Sequence, residues 1–152
     1  MTACLEQLVG EPIDAQVGSQ EAVVAPSSNR LDVQAGHPLL ARSATLRGRR
    51  SGRSYLYAET ILVPSRLSDR FLRRLGSSHD PIGRILEQEG IAVTRAPQSA
   101  PDTSAVSAPD RSGSGIGECL LARTYRVDAG GAPVMMISEW FLTSLERFLS
   151  VQ

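Results

Sequence analysis

No lysine occurs in this chain, and all 16 of its basic side chains are arginine. That absence removes lysine Schiff-base chemistry, P-loop phosphate binding and every catalytic amine except the N-terminus. Arginine keeps its charge when buried and presents a planar fork of donors that fits a carboxylate, so any buried cation here suits a carboxylate ligand; genomic base composition alone would also replace lysine by arginine. Only 5% of the residues are aromatic, which leaves the core to aliphatic side chains. Two cysteines, Cys4 and Cys119, and two histidines, His37 and His79, are too few and too scattered for a structural zinc site, and the cysteines are expected to fill core space. The 16 acidic groups balance the 16 basic ones. A net charge of zero provides no field toward nucleic acid or an anionic membrane. No apolar run approaches the length that spans a bilayer and no basic-then-apolar leader opens the chain, so the expectation is a soluble cytoplasmic protein without membrane or nucleic-acid partners.

What is present is enough for one domain. A chain of 152 residues with 41% hydrophobic residues can bury roughly two-thirds of its unfolded surface, so residues 1–152 are expected to form a single domain without disulfides or metal. Residues 98–117 consist almost wholly of Ser, Ala, Pro, Asp and Gly and are expected to be a disordered loop. Elsewhere short elements alternate. Thr2–Val9 reads as a short helix stopped by Gly10, and residues 12–24 as extended chain. Residues 39–46 and 55–63 read as two strands joined by an arginine- and glycine-rich turn over 47–53. Residues 65–75 carry Leu67, Phe71, Leu72 and Leu75 on one helical face ending at Gly76. Asp80-Pro81 reads as a cap and first turn for a helix over 82–89 that Gly90 stops. Residues 119–127 and 133–141 are strands flanking a turn with Gly130-Gly131, and 143–151 a short amphipathic helix. The layout predicts the α+β class, an antiparallel sheet with helices packed on one face.

A half-buried strand alternates apolar and polar side chains, so a charge in the apolar phase is informative. Three occur. Arg42 shares the phase of Leu40, Ala44 and Leu46; Arg123 that of Cys119, Leu121, Tyr125 and Val127; Glu139 that of Met135, Ile137 and Phe141. Removing one partner of a buried ion pair costs on the order of 3–5 kcal/mol, so each group needs a counter-charge, a ligand or solvent. One reading is an internal Arg–Glu salt bridge with the second arginine reaching the sheet edge. The other is an interior pocket for a small anion, in which burial raises the pKa of Glu139 and fits it for acid or base work. Gly83, near the start of the 82–89 helix, allows close approach of a ligand or of another backbone. His79 could serve as a general base, although a solvated turn histidine is the simpler reading.

Taken in order, Leu40-Ala41-Arg42, Ala58-Glu59-Thr60 with Pro64 to Leu67, Pro81-Ile82-Gly83-Arg84-Ile85-Leu86, Thr94-Arg95, and Pro133 with Ile137-Ser138-Glu139-Trp140-Phe141-Leu142 resemble the chorismate lyase family, including its shorter bacterial branch. The resemblance implies a chorismate-lyase-like antiparallel sheet enclosing an internal ligand pocket closed by helical flaps. It implies that Arg42 binds the ring carboxylate, that Glu139 contacts the ring 4-hydroxyl, that Ile82 contributes backbone and apolar wall, and that Met1 helps line the pocket. The implied reaction converts chorismate into 4-hydroxybenzoate and pyruvate without metal or organic cofactor, in a monomer, toward a quinone (ubiquinone or plastoquinone) or a phenolic lipid. By charge count, Arg123 is the candidate for the second substrate carboxylate. The competing expectation is a ligand-sensing module of the same fold, as in bacterial transcription regulators; nothing before Leu39 has the length or basic character of a winged-helix segment.

Overall fold

The computed structural model describes residues 2–98 and 119–149; Met1 and nearly all of the 98–117 segment lie outside the described residues. Its elements run α1 (Thr2–Val9), β1 (Ile13–Val24), β2 (Pro38–Gly48), β3 (Ser54–Leu62), a 3-10 turn (Pro64–Arg66), α2 (Asp69–Ser77), α3 (Ile82–Gln88), β4 (Val93–Gln98), β5 (Cys119–Ala129), β6 (Ala132–Leu142), a second 3-10 turn (Thr143–Leu145) and α4 (Glu146–Leu149). The strands form one antiparallel sheet in the order β1-β2-β3-β6-β5-β4. Gly130 and Gly131 take φ of 62° and 80°, the left-handed pair that joins β5 to β6 in a two-residue hairpin turn.

Three elements depart from the sequence expectation. The helix expected over 65–75 begins later, because Ser68 takes the cap position and its hydroxyl accepts from the Phe71 N–H; Gly76 lies inside the helix, which ends at Ser77. Asp80 does not cap α3. Pro81 holds the N-cap position without a side-chain cap, while the Asp80 carboxylate accepts from Ser78, Arg74 and Arg84. Strand β4 carries no apolar alternation, and its residues are half-buried or exposed. Pro97 is tolerated there because β4 is an edge strand and one of its sides needs no ladder donor. Of the cysteines, Cys119 is buried and Cys4 is exposed, so only the first fills core space.

Register determines which side chains share a face. Arg42 pairs with Thr60, Thr60 with Ile137 and Ile137 with Tyr125; one pleat away Ala44 pairs with Ala58, Ala58 with Glu139 and Glu139 with Arg123. This face carries two apolar clusters. One joins Phe71 and Leu75 of α2 and Ile85 and Leu86 of α3 to Leu62, Tyr125, Val127, Met135 and Ile137. The other joins Leu5 and Val9 of α1 and Leu145 to Ala15, Ala44, Leu46 and Leu56. The helices are tied together by charge: Arg84 of α3 reaches Glu6 of α1 at 2.6 Å, and Arg74 of α2 reaches Glu89 at 3.1 Å. The opposite face carries Tyr57 against Trp140, together with hydroxyl pairs Ser19–Ser43 and Thr124–Ser138. Burial on both faces therefore replaces the half-buried alternation expected of β2, where Ser43, Ala44, Thr45 and Leu46 are all buried.

Candidate functional site

Alanines occur where the two clusters of the helix-covered face meet. Ala15, Ala44 and Ala58 are short side chains at sites flanked by Leu46, Leu56, Leu86 and Ile137, and the space they leave is a cavity of about 50 Å³. One water needs roughly 10–15 Å³, so the space is several waters large. Arg42, Ile82, Gly83 and Glu139 all line it, together with Thr60, Pro81, Arg95, Tyr125 and Val127. Two of the three charges singled out by strand phase, Arg42 and Glu139, thus meet the residues of the helix start, brought together from β2, β6 and α3. By strand geometry the Cα atoms of Arg42 and Glu139, two strands and one pleat repeat apart, are separated by roughly 12 Å.

Arg42 is 4% exposed, and its Nε and one terminal nitrogen, Nη2, have no hydrogen-bond partner. Burial pulls its pKa down to about 10, so the guanidinium remains cationic at neutral pH. A buried guanidinium with free donors facing an apolar space is costly in the empty protein and is relieved by an anion that accepts those donors.

Glu139, 5% exposed, has the opposite arrangement. Its Oε1 accepts from Arg123 Nε at 2.7 Å, so the carboxylate is buried together with a counter-charge. Arg123 itself is 40% exposed in its side chain, lies over the rings of Tyr125 and Phe141 at 5.3 and 5.1 Å, and does not line the cavity. Both sequence readings are therefore partly realised: an Arg–Glu pair exists, but it uses Arg123, and the remaining arginine, Arg42, sits at the cavity rather than at a sheet edge.

Two further lining residues were not candidates in the sequence. Tyr125 is pushed up to about 12 by burial, with the Glu139 carboxylate adding to the effect, so its phenol stays protonated and is a donor at any physiological pH. It could have been recognised from its place in the phase of Arg123. Arg95 belongs to β4, the strand without an apolar pattern. The start of α3 contributes its N-cap Pro81, Ile82 and Gly83 to the wall, whereas His79 lies outside the lining. Among the described residues no three His, Cys, Asp or Glu side chains gather as a metal site, and no helix is long and apolar enough to cross a membrane.

No family model matches the chain. It is 27% identical over 155 residues to a chorismate pyruvate-lyase of Mycobacterium leprae, spanning 95% of this chain and 70% of that protein. It is 29% identical over 114 residues to a chorismate pyruvate-lyase of Mycobacterium tuberculosis, spanning 72% of this chain and 55% of that protein. Among solved structures, the ligand-binding domain of a GntR-family transcriptional regulator from Bordetella bronchiseptica superposes with a TM-score of 0.60 at 18% identity, over 86% of this chain and 85% of that one. PhnF from Mycobacterium smegmatis superposes with a TM-score of 0.58 at 14% identity, over 91% of this chain and 62% of that one. These likenesses establish a fold shared by lyases and by the ligand-binding domains of regulators.

Proposed function

We propose that this chain, a sequence relative of the chorismate pyruvate-lyases built on the chorismate-lyase-like fold, is a lyase that converts chorismate into 4-hydroxybenzoate and pyruvate. The observation that carries this reading is Arg42, a buried guanidinium with free donors at an apolar cavity that Glu139, held by Arg123 from outside the lining, also borders. A regulator domain can share the fold, and a merely structural arginine would have its donors satisfied.

In this reading the ring carboxylate accepts from Arg42 at the buried end, and Glu139, held by Arg123, faces the ring 4-hydroxyl. Ile82 and Gly83 of α3, with Ala44, Ala58 and Val127, form the apolar walls around the ring. The chemistry is an elimination. The ring C4–H bond gives up its proton, the C3–O bond to the enolpyruvyl group breaks, the ring becomes aromatic, and the departing enolate takes up a proton as pyruvate. Aromatisation drives the reaction, so the protein's work is to fix the substrate in a reactive conformation, exclude water and stabilise charge on the leaving oxygen. The aromatic product then enters quinone or phenolic-lipid synthesis.

The test is to incubate the purified protein with chorismate and follow both products. Equimolar 4-hydroxybenzoate and pyruvate, reduced by at least about a hundredfold in Arg42→Ala and Glu139→Gln, is the expected result. Tight binding of 4-hydroxybenzoate without turnover would instead identify a sensor module.

A further inference from the structure

The proposed substrate has two carboxylates, and the charges at the cavity are unevenly committed. Arg42 has free donors, but Glu139 and Arg123 neutralise each other at 2.7 Å. The remaining charged group in the lining is Arg95. It is an exposed residue of edge strand β4, paired through its backbone with Val127, and it borders both the cavity and the adjoining groove that holds Pro97, Arg123 and Thr124. Its Cζ lies 6.0 Å from the Tyr125 ring, and the same ring has Arg123 Cζ at 5.3 Å. Among the described residues Arg95 forms no ion pair. The cavity wall therefore carries two uncompensated positive charges, Arg42 at its buried end and Arg95 at its mouth, which matches a dianion.

We propose that Arg95 binds the second, side-chain carboxylate of the substrate and so selects dicarboxylates over aromatic monocarboxylates. The assignment rests on the lyase reading and replaces Arg123, which is held on Glu139 as a positioning residue. Because Arg95 keeps its guanidinium in water until the ligand arrives, it can capture the carboxylate at the mouth while Arg42 anchors the ring end. The Tyr125 ring lies within cation–π reach of both guanidiniums.

The test compares two unreactive ligands, 3-(1-carboxyvinyloxy)benzoate and 3-isopropoxybenzoate, which differ in the second carboxylate, by calorimetry on wild type, Arg95→Ala, Arg95→Lys and Arg123→Ala. Wild type is expected to prefer the dicarboxylate by about tenfold or more, as for one charge-assisted contact. Arg95→Ala should abolish that preference with the monocarboxylate affinity unchanged, and Arg95→Lys should restore part of it. A preference that survives Arg95→Ala, or that disappears only in Arg123→Ala, overturns the assignment while chorismate turnover in wild type leaves the lyase reading intact. Failure of wild type to bind either ligand, together with no turnover, overturns both.

Discussion

At position 42 stability and function pull in opposite directions. Arg42 is almost wholly buried with Nε and Nη2 unpartnered, so the folded empty protein bears a desolvation cost that no internal contact offsets. An apolar side chain of similar length removes that cost. Arg42→Met is expected to stabilise the fold by about 1–3 kcal/mol while eliminating binding of 4-hydroxybenzoate. Urea unfolding and calorimetry on the same preparation check both halves; a destabilised Arg42→Met would mean that the guanidinium is satisfied within the fold. Glu139 differs because its charge is already matched, and Arg123→Ala would leave it buried with the Tyr125 phenol but without a counter-charge. That variant should lose on the order of 3–5 kcal/mol in the same unfolding measurement, reduced where the exposed side of Arg123 lets water take its place. The three charges were legible from strand phase, but the division of partners among them was not. Counting back from the Gly130-Gly131 turn, where Ala129 faces Ala132, would set Arg123 opposite Ser138. A register shift between Val127 and Asp128 moves it to Glu139 and onto the same face. One bulge, invisible in the pattern, decides which arginine is free.

At the scale of elements, the cover over the cavity is held by side chains rather than by helix length, since α3 spans only Ile82–Gln88. Asp80 joins it to α2 through Arg74 at 3.1 Å and braces its own first turn through Arg84 at 3.2 Å. Desolvation acts to raise the Asp80 pKa, but hydrogen bonds from Ser78, Arg84 and Arg74 and the charge of Arg84 outweigh it, and the net shift is downward. With the folded value below 3.8, the contribution of Asp80 is present above that pH and is lost as the pH falls through the folded value. Asp80→Asn should therefore lower the urea midpoint at pH 6, by an amount that shrinks steadily as the pH is taken further below 3.8; an equal loss at every pH would show that geometry, not charge, is what Asp80 supplies. The expected helix start at Asp80-Pro81 was correct in place and wrong in mechanism, because a carboxylate with two arginines in reach is drawn away from the backbone donors. Strand β4 escaped notice for a different reason. An edge strand need not bury alternate residues, so Val93–Gln98 left no periodic trace.

For the molecule as a whole, the cavity exists because one sheet face is packed at both ends and left thin between them. Cluster-forming leucines and aromatics anchor α2 and α3 at one end and α1 at the other, with alanines in the gap. A ligand that fills the gap joins the two clusters and also satisfies Arg42, so binding and folding are linked. At a ligand concentration of about 100 Kd, 4-hydroxybenzoate should add about 2.7 kcal/mol to stability. For a domain of this size that corresponds to a rise of roughly 5–10 °C in the unfolding temperature. Differential scanning calorimetry with increasing 4-hydroxybenzoate measures it, and the comparison with Arg42→Ala locates it. If the ligand binds across the gap, the shift disappears in Arg42→Ala because the anchor at the buried end is gone. If wild type and variant shift alike, the aromatic acid is held on some other surface, and the space between the clusters is a packing defect of the sheet rather than a site.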